Sequence, residues 1–154
     1  MKSKSMYNEF IMQQTMLRIK DPEKTLNFYT NILGYVDPNE VLRLSESEKT
    51  VFVCRQKACI EFCYNWGSET DDNLHYHNGN EEPRGFGHIG IVVPDVEKVC
   101  ETFLNEGVEF AKKPNEGRMH GIAFIKDPDG YYIEILSAKN LQEIEKIHCG
   151  QSEE

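Results

Sequence analysis

The sequence predicts an α+β fold of two paired βαβββ modules. Three observations carry that prediction: an internal repeat, matching helix boundaries in its two copies, and an acid at the same distance beyond each boundary. Gln14-Thr15-Met16-Leu17-Arg18-Ile19-Lys20-Asp21-Pro22-Glu23-Lys24 is echoed by His88-Ile89-Gly90-Ile91-Val92-Val93-Pro94-Asp95-Val96-Glu97-Lys98. Each copy is an apolar strand running into Asp-x-Glu-Lys, where the Asp can accept from the free N–H groups of the helix that follows. Gln14 to Glu61 spans 47 residues and His88 to Glu134 spans 46, while Gly34 to Glu61 and Gly107 to Glu134 both span 27. A fixed period of this kind marks a repeated unit that stacks on its copy to complete a core.

Module one covers residues 11–66. Its first strand alternates Thr15, Leu17 and Ile19 against Gln14, Met16 and Arg18, because successive strand side chains point to opposite faces. The spacing predicts a helix over Pro22–Leu33, with Leu26, Tyr29 and Leu33 on one stripe and a stop at Gly34. Strand-like residues follow, and the closing strand sets Ile60, Phe62 and Tyr64 against Cys59, Glu61, Cys63 and Asn65. A polar linker over 67–83 contains the turn signal Asn78-Gly79. In module two, residues 84–137, Ile89, Ile91 and Val93 oppose His88, Gly90 and Val92. A helix over Val96–Glu106 turns Val99, Phe103 and Leu104 inward and stops at Gly107, and the closing strand opposes Ile133 and Ile135 to Tyr132, Glu134 and Leu136. Leu141, Ile144 and Ile147 share one face of a terminal helix over 140–147.

With 154 residues, 39% hydrophobic and 28% charged, the chain is sized for one compact domain, and a second independent enzyme domain is excluded. Seventeen basic against 26 acidic residues give a net charge of −9. No global electrostatic pull acts toward nucleic acid or an anionic membrane, so an anionic ligand needs cations placed locally. The sequence has no apolar run of about 18 residues, and its start lacks the apolar stretch of a signal peptide; a cytoplasmic protein is expected. Five cysteines, Cys54, Cys59, Cys63, Cys100 and Cys149, form no Cys-x-x-Cys pair. Cys59 and Cys63 lie roughly 13 Å apart on one strand, too far for a disulfide, and reduced thiols are expected in the cytosol.

Glu61 lies between Ile60 and Phe62, and Glu134 between Ile133 and Ile135. A carboxylate in such surroundings is costly unless it is paired or bound to a cation. Each module's first strand begins with a metal-capable residue, Gln14 or His88. If the modules pair about a pseudo-twofold axis, these four positions are equivalent and can converge. Two carboxylates with a neutral amide and imidazole balance a divalent metal and leave room for water or substrate. Taken singly, each residue is better explained as a polar strand end, a core histidine or a surface acid; their equivalence in the repeat reverses that and favours the metal. Gly85-Phe86-Gly87-His88-Ile89-Gly90 fits Gly-x-Gly-x-x-Gly, yet it runs into a strand instead of opening a helix, which argues against a dinucleotide site.

The stretches Gln13-Gln14-Thr15-Met16-Leu17-Arg18, Asn65-Trp66-Gly67, Tyr76-His77-Asn78-Gly79-Asn80, Pro83-Arg84-Gly85-Phe86-Gly87-His88-Ile89-Gly90 and Asp127-Pro128-Asp129-Gly130-Tyr131-Tyr132-Ile133-Glu134 closely resemble the glyoxalase I (lactoylglutathione lyase) family of the eukaryotic type. That family has the vicinal oxygen chelate fold. The resemblance, from about Phe10 to Leu136, implies a metal held by Gln14, Glu61, His88 and Glu134, with zinc expected and nickel or cobalt as alternatives. It implies glutathione as co-substrate, recognised by Arg18, Asn65 and Arg84, with Arg118, Met119 and His120 on a further substrate-contacting loop. The implied reaction isomerises the methylglyoxal–glutathione hemithioacetal to S-lactoylglutathione through a metal-stabilised enediolate. Glu134 is the implied base, and Glu61 serves the opposite face. A homodimer is implied as well. Between Gly34 and Gln56 the chain is shorter than animal members of the family, which predicts a less enclosed pocket and admits a truncated isoform. The alternative is a weakly active or non-catalytic member that binds a metal or thiol conjugate. A ring-cleaving dioxygenase is disfavoured, because its iron prefers two His and one carboxylate and here one position is Gln.

Overall fold

The computed structural model describes residues 12–35, 45 and 58–149, the side chains of 143 and 145–149 excepted. In chain order the elements are β1 (Gln14–Ile19), α1 (Pro22–Asn27) continued by a π-helical turn (Phe28–Ile32), β2 (Cys59–Tyr64), a short 3-10 turn (Ser68–Thr70), β3 (His88–Val92), α2 (Val96–Asn105), β4 (Phe110–Lys112), β5 (Ala123–Lys126), β6 (Tyr132–Leu136) and α3 (Ala138–Cys149). Module two is a complete βαβββ unit whose sheet has the order β3-β6-β5-β4, with β3 parallel to β6 and the rest antiparallel. Module one repeats its outer frame: β1 lies parallel to β2. The inner strands expected after Gly34, and the shortened stretch to Gln56, lie outside the described residues apart from Tyr35 and Ser45. No helix among the described residues is long and apolar enough to cross a membrane.

Both helix starts form as their sequence dictates. Asp21 accepts from the main-chain N–H of Glu23 and Lys24 at 3.1 and 3.2 Å, and Asp95 accepts from that of Lys98 at 3.0 Å. Both helical segments end near a glycine at positive φ, Gly34 at 71° and Gly107 at 75°, where a Cβ would be strained. Three expectations need correction. The helix over Pro22–Leu33 is α-helical only to Asn27, because the wider π turn brings the adjacent Phe28 and Tyr29 inward together. In α2 the buried stripe is Val96, Cys100 and Phe103, with Val99 partly buried, whereas Leu104 is 47% exposed. It lies one residue, about 100° of helix rotation, past Phe103. The terminal helix begins at Ala138, two residues before the expected start, since the buried Ser137 accepts from Asn140 N–H at 3.2 Å and caps it.

The core joins the two modules. Phe28 and Tyr29 pack with Val96, Cys100, Phe103, Ala123, Ile125, Ile133 and Ile135, and Ile60, Phe62, Ile89 and Ile91 lie against them. Each fully buried isoleucine of β5 and β6 contributes roughly 1.5–3 kcal/mol relative to exposure. A loop between β5 and β6 ties the modules with hydrogen bonds. Tyr29 OH donates to Asp127 Oδ2 at 3.1 Å, Lys20 N–H to Asp129 Oδ1 at 2.9 Å, and Tyr131 OH to the Arg18 carbonyl at 3.1 Å. Gly130, at φ 83°, makes the reverse turn that lets the two aspartates face module one. Cys59, Cys63 and Cys100 are free thiols.

Candidate metal centre

The alternation read from the sequence places all four candidate ligands. On β1, Leu17 and Ile19 are buried while Gln14, Met16 and Arg18 are exposed. On β3, His88, Gly90 and Val92 face out and Ile89 and Ile91 face in. The parallel register then sets the acids. Met16 lies opposite Glu61 as Gly90 lies opposite Glu134, so in each module the acid is two residues downstream of its strand-start partner's row. Gln14 Nε2 donates to Glu61 Oε2, and His88 Nε2 lies 3.2 Å from Glu134 Oε2. The second pair is the more sheltered, with the Glu134 side chain 19% exposed and that of His88 41%.

These are two half-sites of two donors each. Among the described residues no three His, Cys, Asp or Glu side chains gather as a metal cluster, so Glu61 does not stand beside His88 and Glu134 within one chain. The donor chemistry nevertheless suits a divalent ion: one imidazole nitrogen, two carboxylates and, after rotation of the Gln14 amide, one carbonyl oxygen. Gly90 gives the Leu136 side chain its space, since a Cβ there would stand 3.3 Å from Leu136 Cδ2, and it would meet Glu134 Oε2 only at an ordinary contact distance of 3.8 Å.

One row crosses the second sheet beneath Glu134: Gly90, Glu134, Phe124 and Lys112 on β3, β6, β5 and β4. Phe124 meets the His88 ring edge to face at 5.2 Å. Lys112 was not among the residues predicted from sequence. Its Nζ donates to the carbonyls of Ile122 at 2.7 Å and Met119 at 2.8 Å, so it pins the loop that bears Arg118, Met119 and His120. Burial holds its ammonium below the usual lysine range, against the opposing charges of Glu116 and Glu134. No signal in the sequence marks it, because the row it shares with Glu134 depends on an irregular register between β4 and β5.

The residues expected to recognise glutathione lie on three segments. Arg18 follows Gln14 on the exposed face of β1, and its Nη1 donates to Cys63 Sγ at 3.9 Å. Asn65, just past β2, donates to Tyr76 OH at 3.2 Å. Arg84 is exposed in the segment leading to His88 and meets Glu82 at 3.1 Å, a surface pair worth little. Arg118, Met119 and His120 instead line a cavity of about 490 Å³ with the starts of α2 and α3, including Asp95, Ser137 and Asn140. His88 and Glu134 are not among the residues lining it.

Residues 11–135 match the model of the Glyoxalase/Bleomycin resistance protein/Dioxygenase superfamily. The chain belongs to that superfamily. Within it, the chain is 39% identical to lactoylglutathione lyase of Pseudomonas aeruginosa over 149 residues, covering 84% of each protein. It is 41% identical to glyoxalase I of Saccharomyces cerevisiae over 151 residues, covering 86% of this chain but 44% of the yeast protein. Among solved structures, the trypanothione-dependent glyoxalase I of Leishmania major superposes with a TM-score of 0.59 at 26% identity, covering 94% of this chain and 100% of that one. The glyoxalase fold implied by the family resemblance is therefore the fold of this chain.

Proposed function

We propose that this chain is a lactoylglutathione lyase that isomerises the hemithioacetal of methylglyoxal and glutathione to S-lactoylglutathione at a divalent metal held by Gln14, Glu61, His88 and Glu134. The observation that carries this reading is the pairing of a strand-start donor with a carboxylate at the same register in both modules, in a chain whose relatives include lactoylglutathione lyases. The donor set suits zinc, with nickel or cobalt as alternatives. Since each chain holds two half-sites, a full set of four requires a second copy, and we place the centre at the contact of a homodimer. The exposed faces of β1 and β3, with Met16 44% and Val92 68% exposed, supply apolar surface for that contact. A cytoplasmic setting matches the glutathione requirement.

The reaction carries the carbon-bound proton from C1 to C2 of the adduct and the hydroxyl proton from the C1 oxygen to the C2 oxygen, leaving its composition unchanged. The metal supplies Lewis-acid stabilisation of the negative charge that develops on the adjacent oxygens. Glu134 takes the C1 proton and returns it to C2. Its partly buried carboxylate, with the His88 imidazole and the Phe124 ring beside it, limits proton loss to water. Glu61, more exposed on β2, serves the opposite face of the adduct. Arg18, Asn65 and Arg84 hold the anionic tripeptide, providing the local positive charge that a chain of net −9 needs. Arg118, Met119 and His120 line a cavity that His88 and Glu134 do not share, so the expected substrate contact is not carried over to them.

The test is thioester absorbance on mixing the protein with methylglyoxal and glutathione, with and without a chelator. Turnover lost to the chelator and restored by zinc is expected. No turnover by the metal-loaded protein overturns the lyase reading and leaves a binding member of the family.

A further inference from the structure

Tyr131 belongs to the Asp-Pro-Asp-Gly-Tyr stretch, and the mechanism above gives it no part. Its side chain is 7% exposed and therefore does not touch a ligand in the open site. It reaches two of the three segments expected to recognise glutathione. The OH donates to the Arg18 carbonyl at 3.1 Å. The ring meets Phe86 edge to face at 6.1 Å and 85°, and Phe86 lies between Arg84 and His88 in the chain. Burial, followed by the charges of Asp129 and Asp127, raises its phenol. The residue is itself rigid. Its N–H donates to Asp127 Oδ1 at 2.9 Å and its carbonyl accepts from Asp127 N–H at 3.0 Å.

We infer that Tyr131 is a positioning residue for the glutathione part of the substrate: it sets the backbone of Arg18 and the Arg84–His88 segment relative to each other and to β6. This rests on the part of the reading above that assigns glutathione recognition to Arg18, Asn65 and Arg84. Without the hydroxyl, β1 loses its tie to the β5–β6 loop at the residue whose guanidinium binds, while Glu134 keeps its place in the β6 ladder. Ground-state binding of the tripeptide weakens and the proton transfer itself is little changed, so the loss falls on KM more than on kcat.

The experiment compares Tyr131→Phe with Tyr29→Phe. The first keeps the ring against Phe86 and removes only the bond to Arg18. The second removes a hydroxyl bond to Asp127 in the same loop and touches neither arginine segment. KM, kcat, melting temperature and the calorimetric Kd for S-methylglutathione are measured on each metal-loaded protein. We expect Tyr131→Phe to raise KM and Kd by about five- to tenfold with kcat within about twofold, as for one lost hydrogen bond acting on binding. Tyr29→Phe is expected to lower the melting temperature and leave KM and Kd unchanged. An unchanged Kd in Tyr131→Phe, or an equal rise in Tyr29→Phe, overturns the inference. Should Tyr131→Phe fail to fold, Phe86→Leu tests the other arm: it keeps the hydroxyl, loosens the Arg84 segment and should raise Kd, and an unchanged value overturns the inference. The binding measurement needs no turnover, so a wild-type protein that binds S-methylglutathione without converting the hemithioacetal would sink the lyase reading and leave this inference standing.

Discussion

Glu134 lies between Ile133 and Ile135, both fully buried, while its own carboxylate looks out beside His88. The strand therefore fixes its Cα rigidly and leaves one polar group free to act. Glu134→Gln preserves the shape and the polar contact with His88 but removes the basic oxygen pair. The expected result is a fall in kcat of about 10²–10⁴, the usual worth of a positioned base, with the melting temperature within a few degrees of wild type. Full activity in this variant would reassign the base. Arg84 illustrates the opposite case: its exposed pair with Glu82 contributes little to stability, so its replacement is expected to cost the fold little.

At the scale of elements, the loop of Asp127, Asp129 and Tyr131 is the clasp between modules, and its chemistry predicts a pH dependence. Burial raises the Asp127 carboxyl from 3.8 to about 6, opposed by the hydrogen bonds from Tyr131 N–H and Tyr29 OH. A carboxyl whose pKa is higher folded than unfolded holds its proton more tightly in the native state. Its contribution is then fully present below about pH 4 and lost as pH rises through about 6, on the order of 3 kcal/mol. Urea unfolding of wild type and Asp127→Asn between pH 4 and 7 should show the wild type losing stability relative to the variant as pH rises. A constant difference would show that Asp127 titrates as an ordinary carboxyl. The 113–122 loop depends on a different device, the Lys112 ammonium set against its carbonyls. Lys112→Met is expected to speed amide exchange at residues 115–121 by about tenfold, one lost charged hydrogen bond's worth; unchanged protection would mean that the loop holds itself.

Across the whole molecule, what was legible in the sequence follows from periodicity. Two-residue alternation on β1, β3 and β6 told which face holds Gln14, His88 and Glu134, and the repeat told that the halves match. Features set by tertiary contact were not legible. Leu104 counts as apolar whichever way the α2 stripe drifts, and the π turn exists because Phe28 and Tyr29 both have places in the shared core. Lys112 reaches the Glu134 row only because β4 bulges: Phe110 pairs with Ile125, yet Lys112 pairs with Phe124 where a regular register would give Ala123. Above all, the sequence could say that four candidate ligands are equivalent but not that one chain keeps them as two separate pairs.

That separation makes the last prediction one about two chains. If each metal centre takes Gln14 and Glu61 from one copy and His88 and Glu134 from the other, a Glu61→Ala chain and a Glu134→Gln chain are each inactive as homodimers, yet together they can complement. In the mixed dimer one centre receives both defects, and the other receives the intact Gln14–Glu61 pair of the second variant and the intact His88–Glu134 pair of the first. Random exchange of equal amounts makes half of the dimers mixed with one working centre in two, so activity should recover to roughly a quarter of the wild-type value. The check is a kinetic assay of the two purified variants before and after subunit exchange, with sizing by light scattering. Activity that stays at the level of the separate variants after demonstrated exchange would place all four ligands within one chain and require the modules to close on each other when the metal binds.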